Sequence, residues 1–247
     1  MSVEPNAEWY ETTHHELGHI YYYLSYTNPD VPPLLRQGAN RAYHEAVGSL
    51  MGLAASQKPF LAGLGLIDKN TKTDDTQALL KEALSYVTFI PFATGTMTEW
   101  EHDFYAQNLP SERLNARWWE LVKQYQGIEP PAGPRGEAFL DPATKTHIND
   151  DPAQYYDYAL SYVILFQLHD HISKNLLQQD PHATNYYGNR QVGQSLQSIL
   201  RTGAAGDWRK MLKGATGEDL SARAMVEYFQ PLMAWLQEQN KGRKYTM

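Results

Sequence analysis

His15-Glu16-Leu17-Gly18-His19 commits this part of the chain to an α-helix. Residues four apart on a helix differ by about 40° around the axis and one turn along it. In that conformation both imidazoles can address one divalent cation. Glu16 is offset from them and stands free to act as a general base without binding the metal. The competing explanation is a solvated helix face that carries two histidines by chance. The flanks weigh against it. Tyr21, Tyr22, Tyr23, Leu24 and Tyr26 follow, while Trp9, Tyr10 and His14 precede. A helix this aromatic is expected to be buried, and buried imidazoles need partners. Gly18 weakens a helix interior by about 1 kcal/mol relative to alanine; its expected use is the close approach of a neighbouring segment.

Zinc sites that do chemistry usually have three protein ligands and one open position. The chain has no cysteine, so disulfides and thiolate ligands are excluded and histidine and carboxylate remain. His44-Glu45 is the candidate source of the third ligand. Pro29, Pro32 and Pro33 interrupt the chain before it, so that two helices can lie side by side. Asn40 is expected to cap the second helix, which runs on through Leu50, Met51, Leu53 and Ala54. The alternative for Glu45 is a solvated surface carboxylate.

The chain has 247 residues, 42% of them hydrophobic and 12% aromatic, enough for a substantial core. Its net charge of −7, from 21 basic and 28 acidic residues, argues against a nucleic-acid partner, which calls for a basic footprint. No run of about 20 apolar residues is present to span a membrane, and residues 1–11 lack the basic and apolar regions of a signal peptide. Helices are expected at 6–27, 40–57, 74–106, 111–126, 153–179, 188–202, 205–213 and 220–240. Leu79, Leu80, Ala83, Leu84 and Val87 form an apolar stripe at helical spacing, and Pro91 is expected to kink that helix. Residues 127–151, with Pro130, Pro131, Gly133, Pro134, Gly136 and Pro142, read as a loop or a domain linker, with short strands near 136–150, around 138–140 and 145–148. The expected fold is mainly α, one helical domain over 1–247.

The residues from Thr12 to Leu53 resemble the zinc-binding core of the angiotensin-converting-enzyme family of peptidyl-dipeptidases. That family carries H-H-E-x-G-H-I and then G-A-N-x-x-x-H-E-A-x-G. This chain carries His14-His15-Glu16-Leu17-Gly18-His19-Ile20, then Gly38-Ala39-Asn40 and His44-Glu45-Ala46-Val47-Gly48. The resemblance implies one Zn2+ per chain held by His15, His19 and Glu45, with Glu16 as the catalytic base. It continues through K-x-H-I, Y-x-x-Y and F-Q-x-H, here Lys145-Thr146-His147-Ile148, Tyr155-Tyr156-Asp157-Tyr158 and Phe166-Gln167-Leu168-His169. The spacing from His147 to Tyr155 is one residue longer than the family's. This match on past residues 127–151 favours an active-site loop there over a domain linker.

By the same resemblance, Lys145 and Tyr155 hold the C-terminal carboxylate of an oligopeptide substrate, and the enzyme removes C-terminal dipeptides. His147 binds a substrate carbonyl and Tyr158 donates to the oxyanion. Phe89, Phe92 and Tyr162 line the pocket for the last side chain. Taken from pattern alone, these tyrosines and phenylalanines read equally as core packing. Three departures stand out. Ser49 replaces an Asp in the outer shell of a zinc histidine, which implies weaker metal binding. Asp157 and Val122 stand where chloride-responsive members have arginines, so chloride activation is expected to be absent or altered. The family's domain also has a large segment before the zinc helix, so the chain resembles the C-terminal part of that domain. The full-length protein is then expected to be periplasmic or extracellular, and a half-domain is expected to self-associate or to pair with a complementary N-terminal half. The alternative function is a non-catalytic zinc-binding half-domain that packs against such a partner.

Overall fold

A computed structural model describes residues 3–130 and 132–244; Pro131, one of the loop prolines named above, lies outside them. The α-helices run in order as α1 (Ala7–Tyr26), α2 (Arg41–Ser56), α3 (Lys58–Gly63), α4 (Asp75–Tyr86), α5 (Thr98–Ala106), α6 (Leu114–Gln126), α7 (Thr146–Asp150), α8 (Tyr156–Asp170), α9 (Arg190–Leu200), α10 (Trp208–Thr216) and α11 (Arg223–Gln239). π-Helical segments at Pro91–Met97 and His171–Leu177 lead into α5 and continue α8. The mainly helical fold is as expected. No described helix is long and apolar enough to cross a membrane. The chain divides into two compact units, residues 1–75 with 160–233, and residues 76–159 with 234–247.

In the first unit, α1 and α2 begin at asparagine caps. The Asn6 side chain accepts the Trp9 N–H at 2.9 Å and the Asn40 side chain accepts the Tyr43 N–H at 2.8 Å. Each such cap contributes about 1 kcal/mol by satisfying a donor that has no partner within the helix. The two helices cross at glycines. A Cβ added to Gly18 would lie 2.8 Å from the Gly48 Cα and 2.9 Å from the Val47 carbonyl oxygen, so only glycine permits this approach. Across the crossing, α2 buries Ala42, Tyr43, Ala46, Val47, Leu50 and Leu53.

The second unit has its own core. Ala93, Met97, Trp100, Trp118, Leu121, Val122, Ile148, Tyr155 and Ala159 cluster there. The expected single helix over 74–106 is interrupted. α4 ends at Tyr86, residues 87–88 form a turn, and Pro91 opens the π segment, where its missing N–H does least harm.

The strands expected near 136–150 are not formed. Short 3₁₀ turns at Glu137–Phe139 and Asp141–Thr144 and helix α7 occupy those residues instead. Their backbone groups pair with α6 rather than with a strand. The buried Asn115 donates to the carbonyls of Arg135 (3.2 Å) and Gly136 (3.0 Å) and accepts the Asp141 N–H at 2.7 Å. Glu137 in turn accepts the N–H groups of Asn115 and Ala116 at the start of α6. Leu140, with φ +43°, breaks any extended run.

Phe166-Gln167-Leu168-His169 is a structural latch within the first unit. Gln167 donates to the Asp219 carbonyl at 3.0 Å and accepts the Ser221 N–H. His169 is buried, with Nε2 donating to the Pro181 carbonyl and Nδ1 accepting the Tyr186 hydroxyl, both at 2.6 Å. Burial holds this histidine's pKa down at about 4. An unfolded histidine titrates near 6.5, so between those values the unfolded chain takes up a proton that the folded chain refuses. Stability is therefore expected to fall as pH drops from about 6.5 to 4, by about 2–3 kcal/mol from this residue. Urea unfolding at pH 7 and pH 4.5 measures the loss. His169→Gln should flatten that slope; an unchanged slope would assign the acid sensitivity elsewhere.

Candidate metal centre

α1 carries His15 and His19 on one face, and α2 brings Glu45 up to them. The His15 and His19 Nε2 atoms lie 2.9 Å apart, and Glu45 Oε2 lies 3.5 Å and 3.9 Å from them. One donor atom from each residue falls within 4.8 Å of the others. Each ring is engaged through its other nitrogen: His15 Nδ1 faces the Ser49 hydroxyl at 3.3 Å, and His19 Nδ1 faces His44 Nδ1 at 2.8 Å. Both Nε2 atoms are thereby aimed at one focus. Two imidazoles and a carboxylate, with room for a further ligand, are the donor set of a catalytic zinc site, so these residues fit the ion.

Electrostatics favour the metal-binding protonation states. Burial pushes the His19 pKa down, outweighing the upward pull of Glu45 and Glu16. Burial alone would raise the Glu45 pKa, but the hydrogen bond from His15 and the fields of both histidines hold it below the usual carboxylate range. A neutral imidazole and an ionised carboxylate are the forms that ligate.

Two of the three candidate ligands, His19 and Glu45, line an open groove of about 900 Å³, with Thr13, Glu16, Leu17, Ile20, Tyr23, Arg36, Arg41 and His44 also in its lining. Glu16 is exposed there, so α1 presents a carboxylate to the groove beside the ligands. A peptide and a water could both enter.

The other predicted site residues, Tyr162 apart, gather in the second unit. The Lys145 ammonium lies 4.8 Å from the centroid of the Tyr155 ring and 5.6 Å from that of Phe92. Phe89 packs on Phe92, Tyr155 and Tyr158. His147 Nε2 and the Tyr158 hydroxyl are 3.1 Å apart. Burial pushes the Lys145 pKa down, and no carboxylate of the described residues pairs with it. An ammonium among rings with no counter-ion suits an incoming carboxylate. Tyr162 lies on α8 within the first unit and is half-buried. Val122 is an apolar side chain in the second unit's core.

Sequence reasoning missed the pairing of His44 with His19. The signal was present: His44 follows Asn40 by four residues, so it lies about one turn in from the cap and next to the candidate ligand Glu45.

The profile of the angiotensin-converting enzyme family matches residues 1–247. A protein of Mesocricetus auratus described as angiotensin-converting enzyme is 39% identical over 238 residues, covering 95% of this chain and 18% of the relative. One from Rattus norvegicus is 39% identical over 234 residues, covering 93% of this chain and 17% of the relative. One from Theromyzon tessulatum is 32% identical over 235 residues, covering 93% and 37%. The chain thus spans well under half the length of each of these relatives.

Proposed function

Since the chain belongs to the angiotensin-converting enzyme family of metallopeptidases, we propose that it is a zinc peptidyl-dipeptidase releasing C-terminal dipeptides from oligopeptides. The convergence of His15, His19 and Glu45 on one focus carries this reading. Bound there, zinc supplies Lewis acidity and a water that ionises near neutral pH.

The Glu16 carboxylate takes a proton from the attacking water and passes it to the leaving amide nitrogen. The Tyr158 hydroxyl donates to the oxyanion that develops on the scissile carbonyl. His147 Nε2, released from Tyr158, donates to a second substrate carbonyl. By the family resemblance, the Lys145 ammonium and the Tyr155 hydroxyl hold the terminal carboxylate. The same resemblance assigns Phe89, Phe92 and Tyr162 to the last side chain. With Val122 and Asp157 at the arginine positions, chloride does not activate the enzyme as it does chloride-responsive members. The family resemblance also implies a periplasmic or extracellular setting.

Purified chain incubated with zinc and a blocked tripeptide should release a dipeptide and contain one zinc by elemental analysis, and His19→Ala should lose both. A wild-type chain that carries no zinc would sink the proposal.

A second reading, a non-catalytic zinc-binding half-domain, is favoured by one observation. Leu17, Ile20 and Leu24 are 55%, 53% and 73% exposed, an apolar stripe along α1 of the kind that partners cover. On that reading the chain binds zinc, turns nothing over, and runs larger than a monomer in size-exclusion chromatography. Activity that returns on adding a complementary N-terminal segment would assign the stripe to that partner.

A further inference from the structure

We propose that His44 is a positioning residue for the metal ligand His19, acting through a hydrogen-bonded chain that runs from His19 through His44 to Tyr26. The inference rests on the zinc reading above. His19 Nδ1 and His44 Nδ1 lie 2.8 Å apart, and His44 Nε2 lies 3.3 Å from the Tyr26 hydroxyl. A neutral imidazole has one N–H and one lone pair. When the His19 Nε2 lone pair serves a metal, the His19 proton sits on Nδ1. Among the described residues its partner is His44 Nδ1, which must then accept. The His44 proton is thereby placed on Nε2, facing the Tyr26 oxygen. One contact thus sets the tautomer of both rings and the rotation of His19 about its Cβ–Cγ bond.

The His44 ring is held for this task. Tyr22, Tyr23 and Tyr26, all from α1, place their ring centroids 4.8, 4.7 and 5.9 Å from it. On the remaining side Gly38 leaves it room, since a Cβ there would lie 2.8 Å from His44 Cδ2. The Tyr22 hydroxyl accepts the Ala39 N–H at 2.9 Å, which fixes the backbone just ahead of the Asn40 cap. The aromatic run after His19 thus has a use beyond core filling. The two zinc histidines are supported unequally: the His15 Nδ1 faces the Ser49 hydroxyl at 3.3 Å, whereas the His19 Nδ1 faces a second imidazole at 2.8 Å. Outer partners that orient a metal-bound histidine commonly contribute 10–100-fold in metal affinity.

The test compares two truncations of similar size. Asn keeps an acceptor, its Oδ1, near the place of His44 Nδ1; Leu keeps none. Zinc affinity is read by competition with a chromophoric chelator, on the full chain at one pH. His44→Leu should weaken zinc binding by about 10–100-fold, and His44→Asn should stay within about threefold of wild type. Any result in which the two variants bind zinc alike, both as wild type or both weakly, overturns the inference, because packing alone would then explain the site. A wild-type chain that binds no zinc fails one step earlier and takes the proposed function with it.

Discussion

Glu16→Gln should lower dipeptide release by about 10²–10⁴-fold while leaving one zinc per chain in place. Glutamine keeps the size of the side chain but its amide cannot accept and return a proton. Glu16 is not among the residues that converge on the metal focus, so its loss should leave metal affinity nearly intact. It is exposed in the groove beside those ligands, where a base must stand to meet both water and peptide. Product release by chromatography and zinc content by elemental analysis, on the same preparation, separate the roles. Wild-type turnover in Glu16→Gln removes this residue from the mechanism. Loss of the zinc would recast it as a ligand or a fold element.

The two histidines of the motif were readable because helical geometry alone makes them neighbours, and α1 delivers that geometry. Glu45 was readable in a weaker sense. Asn40 marks its helix start, and the cap is there; the prolines before it allow the two helices to lie side by side, and the family resemblance is what singles out Glu45 as the ligand. The reading stopped where contacts between distant residues decide the outcome. Residues 136–150 looked extended because their partners are side chains of α6. A buried asparagine such as Asn115 leaves no periodic trace in the sequence. His44 escaped for the same reason, since its importance lies in a ring 25 positions earlier. Phe166-Gln167-Leu168-His169 stands out in the sequence as a motif, whereas its work, tying together backbone carbonyls and a hydroxyl in the first unit, shows only in the fold.

Glycine placement gives the second large effect, and its sign reverses between two helices. Alanine is preferred over glycine in a helix interior by about 1 kcal/mol. At Gly193 in α9 an added Cβ meets nothing within 4 Å, so Gly193→Ala should stabilise the chain by about 0.5–1 kcal/mol. At Gly18 the same methyl meets the backbone of α2 at 2.8–2.9 Å. Backbone atoms cannot rotate away, so the helices must separate. Overpacking of this kind costs about 1–3 kcal/mol, which exceeds the propensity gain. The larger consequence is chemical. Glu45 is carried by α2 and both histidines by α1, so any separation of the helices moves the carboxylate off the shared focus. Gly18→Ala is therefore expected to lower both the urea midpoint and the zinc affinity, while Gly193→Ala raises the first and leaves the second unchanged. Equal midpoint shifts from the two substitutions would mean that the crossing has slack, and that the α1–α2 approach does not set the position of Glu45.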